Sequence, residues 1–107
     1  MNDKILPIVS IVTLKNSGNT PVMIVNRTPL YYEKEQCLGY LDYSAVLYPE
    51  GLDDPSDDKY YFNREDIANL LFLGYRDPAE LEFEQNYDTM IKDDTHHKLT
   101  VQDLATK

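Results

Sequence analysis

A chain of 107 residues with 42% hydrophobic content suits one domain with a real core, and fits neither a disordered chain nor a two-domain layout. A formal charge of -9 and a pI near 4.4 repel a nucleic-acid backbone and an anionic membrane, so the charge favours a protein partner. A single cysteine, Cys37, excludes an internal disulfide and a thiolate metal cluster within one chain.

The apolar run at the start is interrupted by Pro7, Ser10 and Thr13 and is far too short to span a bilayer. No small-residue cleavage site follows it, so the expectation is a cytoplasmic protein. Residues 6–14 carry the β-branched Ile8, Val9, Ile11, Val12 and Thr13, which lose side-chain freedom in a helix and fit a pleated sheet. Turn formers occupy 15–20, and Pro21 then opens a second apolar run, Val22 to Val25. The two runs predict a β-hairpin, with each strand covered in part on both faces.

From Asn26 to Gln36 the pattern weakens, through Arg27, Pro29, Tyr31-Tyr32 and Glu33-Lys34-Glu35, and predicts a loop. Leu38 to Tyr48 predicts one strand, with Leu41, Tyr43, Ala45 and Leu47 on one face and Tyr40, Asp42, Ser44, Val46 and Tyr48 on the other. Pro49-Glu50-Gly51 stops it, and the acidic stretch 52–59 predicts a solvated loop.

Tyr60-Tyr61-Phe62 predicts a short strand. Asn63 with Asp66 three residues on reads as a helix start, and Ile67, Leu70 and Leu71 lie at the spacing of one helical face. The expected helix is short, with Phe72 to Tyr75 as its exit into another strand. A second start follows: Asp77 as cap, Pro78 at the first helical position and Glu80 completing the box. Phe83, Tyr87, Met90 and Ile91 form its apolar stripe, and Asp93-Asp94-Thr95 ends it. His96 to Lys107 reads as a loose helix or a frayed tail. The expected architecture is α+β: a small, mostly antiparallel sheet of about four to five strands, one short helix and a C-terminal amphipathic helix. A single domain over 1–94 is followed by a tail over 95–107.

Catalytic chemistry finds no support in these residues. The carboxylates of the acidic loop do not fall at the offsets of a calcium-binding loop, and turn chemistry accounts for them. His96 and His97, if adjacent on a helix, point about 100° apart and cannot both reach one ion without a loop conformation, so surface histidines near a helix end are the expectation. Nothing near Cys37 in sequence lowers its pKa, and a small buried residue at a strand start explains it. No serine sits in a glycine-flanked elbow, and the four glycines are scattered singly. No catalytic, cofactor or metal site is therefore expected.

Tyrosine is the richer signal: nine residues in a chain without tryptophan. Tyrosine offers apolar area with a polar tip and is enriched at interfaces. Neighbours in a strand face opposite sides, so not all of these rings can point inward. Tyr31, Tyr32, Tyr40 and Tyr43 are the candidate partner contacts, against a reading in which they half-bury and hydrogen-bond to solvent.

Three motifs in order carry a resemblance: Leu6-Pro7-Ile8 opening a hairpin; Asp42-Tyr43 in a strand ending in Tyr48-Pro49-Glu50-Gly51; and Phe62-Asn63 leading to Asp66-Ile67 and Gly74-Tyr75. Over about Leu6 to Phe83 the chain resembles a family of small bacterial proteins of unknown biochemical function encoded in type VII secretion loci of Gram-positive bacteria, commonly beside toxins with an LXG domain. One departure is Val9, where a glycine is expected before the serine of the first strand. The resemblance implies a place of work in the cytoplasmic handling of secreted toxins. A chaperone or targeting factor for a cognate toxin is the first expectation, and an immunity protein that neutralises it is the alternative.

Overall fold

The computed structural model describes residues 5–15, 18–52, 59–92 and 96–105. Most of the acidic loop, 53–58, and the expected helix stop, 93–95, lie outside the described residues. Strands β1 (Ile11–Leu14) and β2 (Val22–Arg27) form the expected antiparallel hairpin. β1 starts later than the apolar run because Ser10 N donates to Pro7 O (3.2 Å), closing a turn over Ile8 and Val9.

The stretch expected as a loop is instead a second hairpin. β3 (Leu30–Glu33) pairs antiparallel with β4 (Gln36–Tyr40). Its turn residues Lys34 and Glu35 both have positive φ, 52° and 68°, the backbone of a two-residue type I′ turn. That turn is normally announced by Asn or Gly, and here a Lys-Glu pair fills it. The strand expected over Leu38 to Tyr48 is also broken: β4 ends at Tyr40, and β5 (Tyr43–Leu47) belongs to the other sheet. Asp42, buried at the break, is bonded on all sides and leaves the strand register.

The main sheet has five antiparallel strands in the order β6-β5-β2-β1-β7, where β6 is Tyr60–Phe62 and β7 is Ile67–Phe72. The helix expected after Asn63 is a single 3₁₀ turn, Arg64–Asp66, and the chain then extends into β7. The start signal itself is present, since Asn63 N donates to Asp66 Oδ2 (2.9 Å). Two register shifts in the β1–β7 ladder explain the misleading pattern. Extra residues on β7 put the inward-facing Ile67 and Leu70 three apart, which imitates a helical face.

Helix α1 (Pro78–Lys92) begins as expected, with Glu80 N donating to Asp77 Oδ1 (2.8 Å). Directly paired residues share a face, so Leu70, Val12, Val22 and Leu47 make one row across the sheet. Tyr87 of α1 packs in the same core as Val12, Val22, Tyr43 and Phe62, with Phe83 and Ile91 at its margin. Met90, counted in the apolar stripe, is exposed. Burying a large apolar side chain here is worth about 1.5–3 kcal/mol. Arg27 fastens the helix from β2: it pairs with both oxygens of Glu80 and lies over the Phe83 ring, 4.2 Å from its centroid.

The segment after α1 folds back as well. Tyr40 N donates to His97 O and Leu99 N to Tyr40 O, both 2.8 Å, making a parallel bridge that buries Leu99. A short helix, α2 (Val101–Ala105), follows, capped by reciprocal bonds between Thr100 and Asp103.

Candidate partner-binding surface

The four tyrosines divide by depth. Tyr43 is fully buried, and its hydroxyl accepts from Leu6 N at 2.7 Å. Tyr40 is buried between the hairpin and the C-terminal segment. Both sit inside the protein, Tyr40 at the covered end of β4 and Tyr43 in the core with Tyr87, so neither presents a contact surface. Tyr31 is half-buried, with its ring edge-on to Tyr61 at 5.3 Å, and Tyr32 is 57% exposed.

Around Asp42 the structure gathers charged and polar groups that sequence distance had separated. Asp42 is fully buried. Its Oδ1 accepts from the Tyr87 hydroxyl (2.8 Å); its Oδ2 accepts from Arg64 N (3.0 Å) and Arg64 Nε (3.3 Å), with Lys98 Nζ 3.7 Å away. Its own N–H donates to Asn63 Oδ1 (2.8 Å), and Asn63 Nδ2 donates to Leu99 O (2.7 Å). The carboxylate thus ties together β5, the Arg64–Asp66 turn, α1 and the C-terminal segment. Its oxygens are taken by internal donors, which gives it a structural task. Cys37 Sγ lies 3.9 Å from Gly39 O, and His96 and His97 are exposed. Among the described residues no group of three or more His, Cys, Asp or Glu side chains is placed to hold a metal ion.

Charge around this cluster is strongly compensated. Burial disfavours the Arg64 guanidinium charge, but Asp42 and Asp88 outweigh it and raise its pKa. Burial would also raise the α1 carboxyls of Glu80 and Glu84. At Glu80, hydrogen bonds from Arg27 win and hold it below its usual range, whereas at Glu84 burial and the nearby Glu80 outweigh Arg76 and push it up.

A contiguous run of exposed apolar side chains lies elsewhere, along the outer edge of the sheet. Among the described residues β7 is an end strand, paired with β1 alone. Leu71 and Phe72 are 56% and 54% exposed, and Leu73 and Tyr75 follow them into solvent. Gly74 joins this run to the Ile8–Val9 turn: its N–H donates to Ser10 Oγ (2.9 Å), and the Ile8 carbonyl sits where a Cβ would be. Ile8 and Val9 are exposed too, so the two segments form one apolar rim. On the sheet face away from α1, the row Phe72–Ile11–Met23–Val46 is buried at Val46 and opens toward that rim. From sequence, Leu71 was placed on a helical face and Phe72 to Tyr75 passed as the helix exit; a run of apolar residues without a charge was the available signal.

A family model for a domain of unknown function, DUF4176, matches residues 5–83. The chain belongs to the DUF4176 family. Neither the curated proteins nor the solved structures yield a match. The DUF4176 match takes in the whole five-stranded sheet, the β3–β4 hairpin and the rim, and stops in the second turn of α1. No helix among the described residues is long and apolar enough to cross a membrane.

Burial makes this DUF4176 domain sensitive to alkali. It raises the pKa of Tyr87 and Tyr43 well above the usual tyrosine value, with the Asp42 charge adding to both. The folded pKa lies above the unfolded one, so the stabilisation is fully present below about pH 10 and is lost as pH rises beyond it. Each group steepens that loss by up to about 1.4 kcal/mol per pH unit. In a urea-melt series above pH 9.5, Tyr87→Phe is expected to flatten the slope of stability against pH; an unchanged slope would refute this assignment.

Proposed function

We propose that this protein is a non-enzymatic partner-binding domain, a cytoplasmic chaperone or targeting factor that holds a cognate type VII secretion toxin of the LXG class before export. The observation that carries the binding reading is the rim of Ile8, Val9 and residues 71–75, an apolar surface on a domain with net charge -9. A large apolar patch on an otherwise charged surface is the mark of a protein interface. Acidity suits a basic partner and keeps the complex soluble. The toxin assignment rests on the resemblance, through Leu6-Pro7-Ile8, Asp42-Tyr43 and Gly74-Tyr75, to proteins encoded beside LXG toxins.

Co-expression with the neighbouring toxin, followed by size-exclusion chromatography, is expected to give a stable complex, and deletion is expected to lower toxin secretion by the producing cell. Separate elution under all conditions would remove the toxin reading. The same acidity suits an immunity protein that occludes a basic active-site cleft. That reading gains if the protein protects recipient cells from toxin supplied outside while secretion stays normal.

A further inference from the structure

We propose that the free edge of β7 and the Ile8–Val9 turn form the docking site, where an extended partner segment, apolar with Lys or Arg flanks, adds as a further strand. This rests on the partner-binding reading above and gives it a place and a mode.

The first argument is the backbone. An end strand leaves one row of N–H and C=O groups without a neighbouring strand, and natural proteins guard such edges with charge, proline or brevity. The opposite edge, β6, is only three residues long. β7 has six residues, IANLLF, and neither they nor Leu73 carries a charge or a proline. Its two register shifts twist the strand but leave this edge uncharged. Strand addition draws affinity from such a row and specificity from the side chains beside it.

Val9 supplies the second, independent argument. It is the third residue of the turn closed between Pro7 and Ser10, with φ 79°, the conformation glycine takes in a type II turn. For a β-branched residue this is a genuine outlier, and such strain concentrates at binding sites. Val9 is 47% exposed and lies outside the core cluster, so the fold gains little from its side chain. A partner's apolar surface does gain from it.

Charge selects the occupant. With 19 acidic and 10 basic residues, the chain attracts a basic segment, whereas a second copy brings the same net charge of -9 to the contact.

The test uses the full chain and the toxin encoded beside it, with the dissociation rate from immobilised toxin as readout. Leu71→Lys and Phe72→Lys, at exposed positions, are each expected to speed dissociation about tenfold or more. Met90→Lys, at another exposed apolar site, on α1, is expected to leave it unchanged. Val9→Gly is expected to weaken binding while its melting temperature stays level or rises, a combination that a merely structural residue does not give. Equal binding by wild type and all variants overturns the site and leaves the toxin reading standing. Loss in Tyr32→Ala without loss in the β7 variants moves docking to the β3–β4 hairpin and also overturns it. A wild-type chain that dimerises alone, and becomes monomeric on Leu71→Lys, overturns the choice of occupant. No binding by the wild type overturns both readings together.

Discussion

Asp42→Ala is expected to remove about 3–5 kcal/mol of folding stability, the cost of breaking a buried ion pair from one side. The substitution removes the fully buried carboxylate on which the Arg64 guanidinium and backbone N–H, the Tyr87 hydroxyl and the Lys98 ammonium converge. Asp88 still faces Arg64 and Glu65 still faces Lys98, but the Arg64 backbone N–H and the Tyr87 hydroxyl lose the acceptor they donate to. Each buried donor left without its partner carries its own desolvation penalty, which is why the loss exceeds that of an ordinary hydrogen bond. Asp42→Asn keeps one acceptor oxygen, enough for the Tyr87 hydroxyl, but loses the charge and turns an NH2 toward the Arg64 donors, so it is expected to be costly while still falling short of the alanine variant. Urea unfolding of both proteins measures the difference. A loss below about 1 kcal/mol for Asp42→Ala would mean that the cluster does not bind these elements together.

Gly39→Ala is expected to be nearly as damaging, at about 2–4 kcal/mol, through backbone strain and overpacking together. Gly39 has φ 152° in β4, and a Cβ there would run into the His97 carbonyl oxygen. The C-terminal segment lies across this bare backbone, held by the Tyr40–His97 and Tyr40–Leu99 bonds. To admit a methyl group the segment must lift, and Leu99 must leave its buried site. Hydrogen exchange is expected to quicken at the Tyr40 and Leu99 amides well before the amides of β1, β2 and β5. Unchanged protection at those two positions would show that the neighbours shift to accept the side chain.

The local signals in the sequence led to the right elements where one face and one neighbour decide the outcome. The runs over 6–14 and 22–25 did yield a hairpin, through Ile11–Leu14 and Val22–Arg27, and Asp77-Pro78-x-Glu80 did open α1. They misled where long-range pairing overrode them. Ile67, Leu70 and Leu71 have helical spacing, yet β1 draws them into a strand whose bulges produce that spacing. Lys34 and Glu35 lack turn chemistry, yet the pairing of β3 with β4 holds both at positive φ. The departure at Val9 was visible as a residue standing where glycine was expected. That its backbone is strained and its side chain exposed was not.

What the sequence by itself determined is the class: an acidic α+β domain with a mostly antiparallel sheet, because composition and short-range periodicity act within a few residues. Which side chains meet was decided only by the tertiary structure. Asp42 reaches Tyr87 across 45 positions and Arg27 reaches Glu80 across 53, and no local pattern encodes a contact at that range. The same holds for the surface. Tyr40 and Tyr43 were expected at an interface and are buried, Tyr40 where the C-terminal segment bridges to it and Tyr43 in the core with Tyr87, while Leu71 and Phe72 are exposed on a strand that pairs only with β1 among the described residues. Burial is a property of what packs against a residue, and that partner lies elsewhere in the chain.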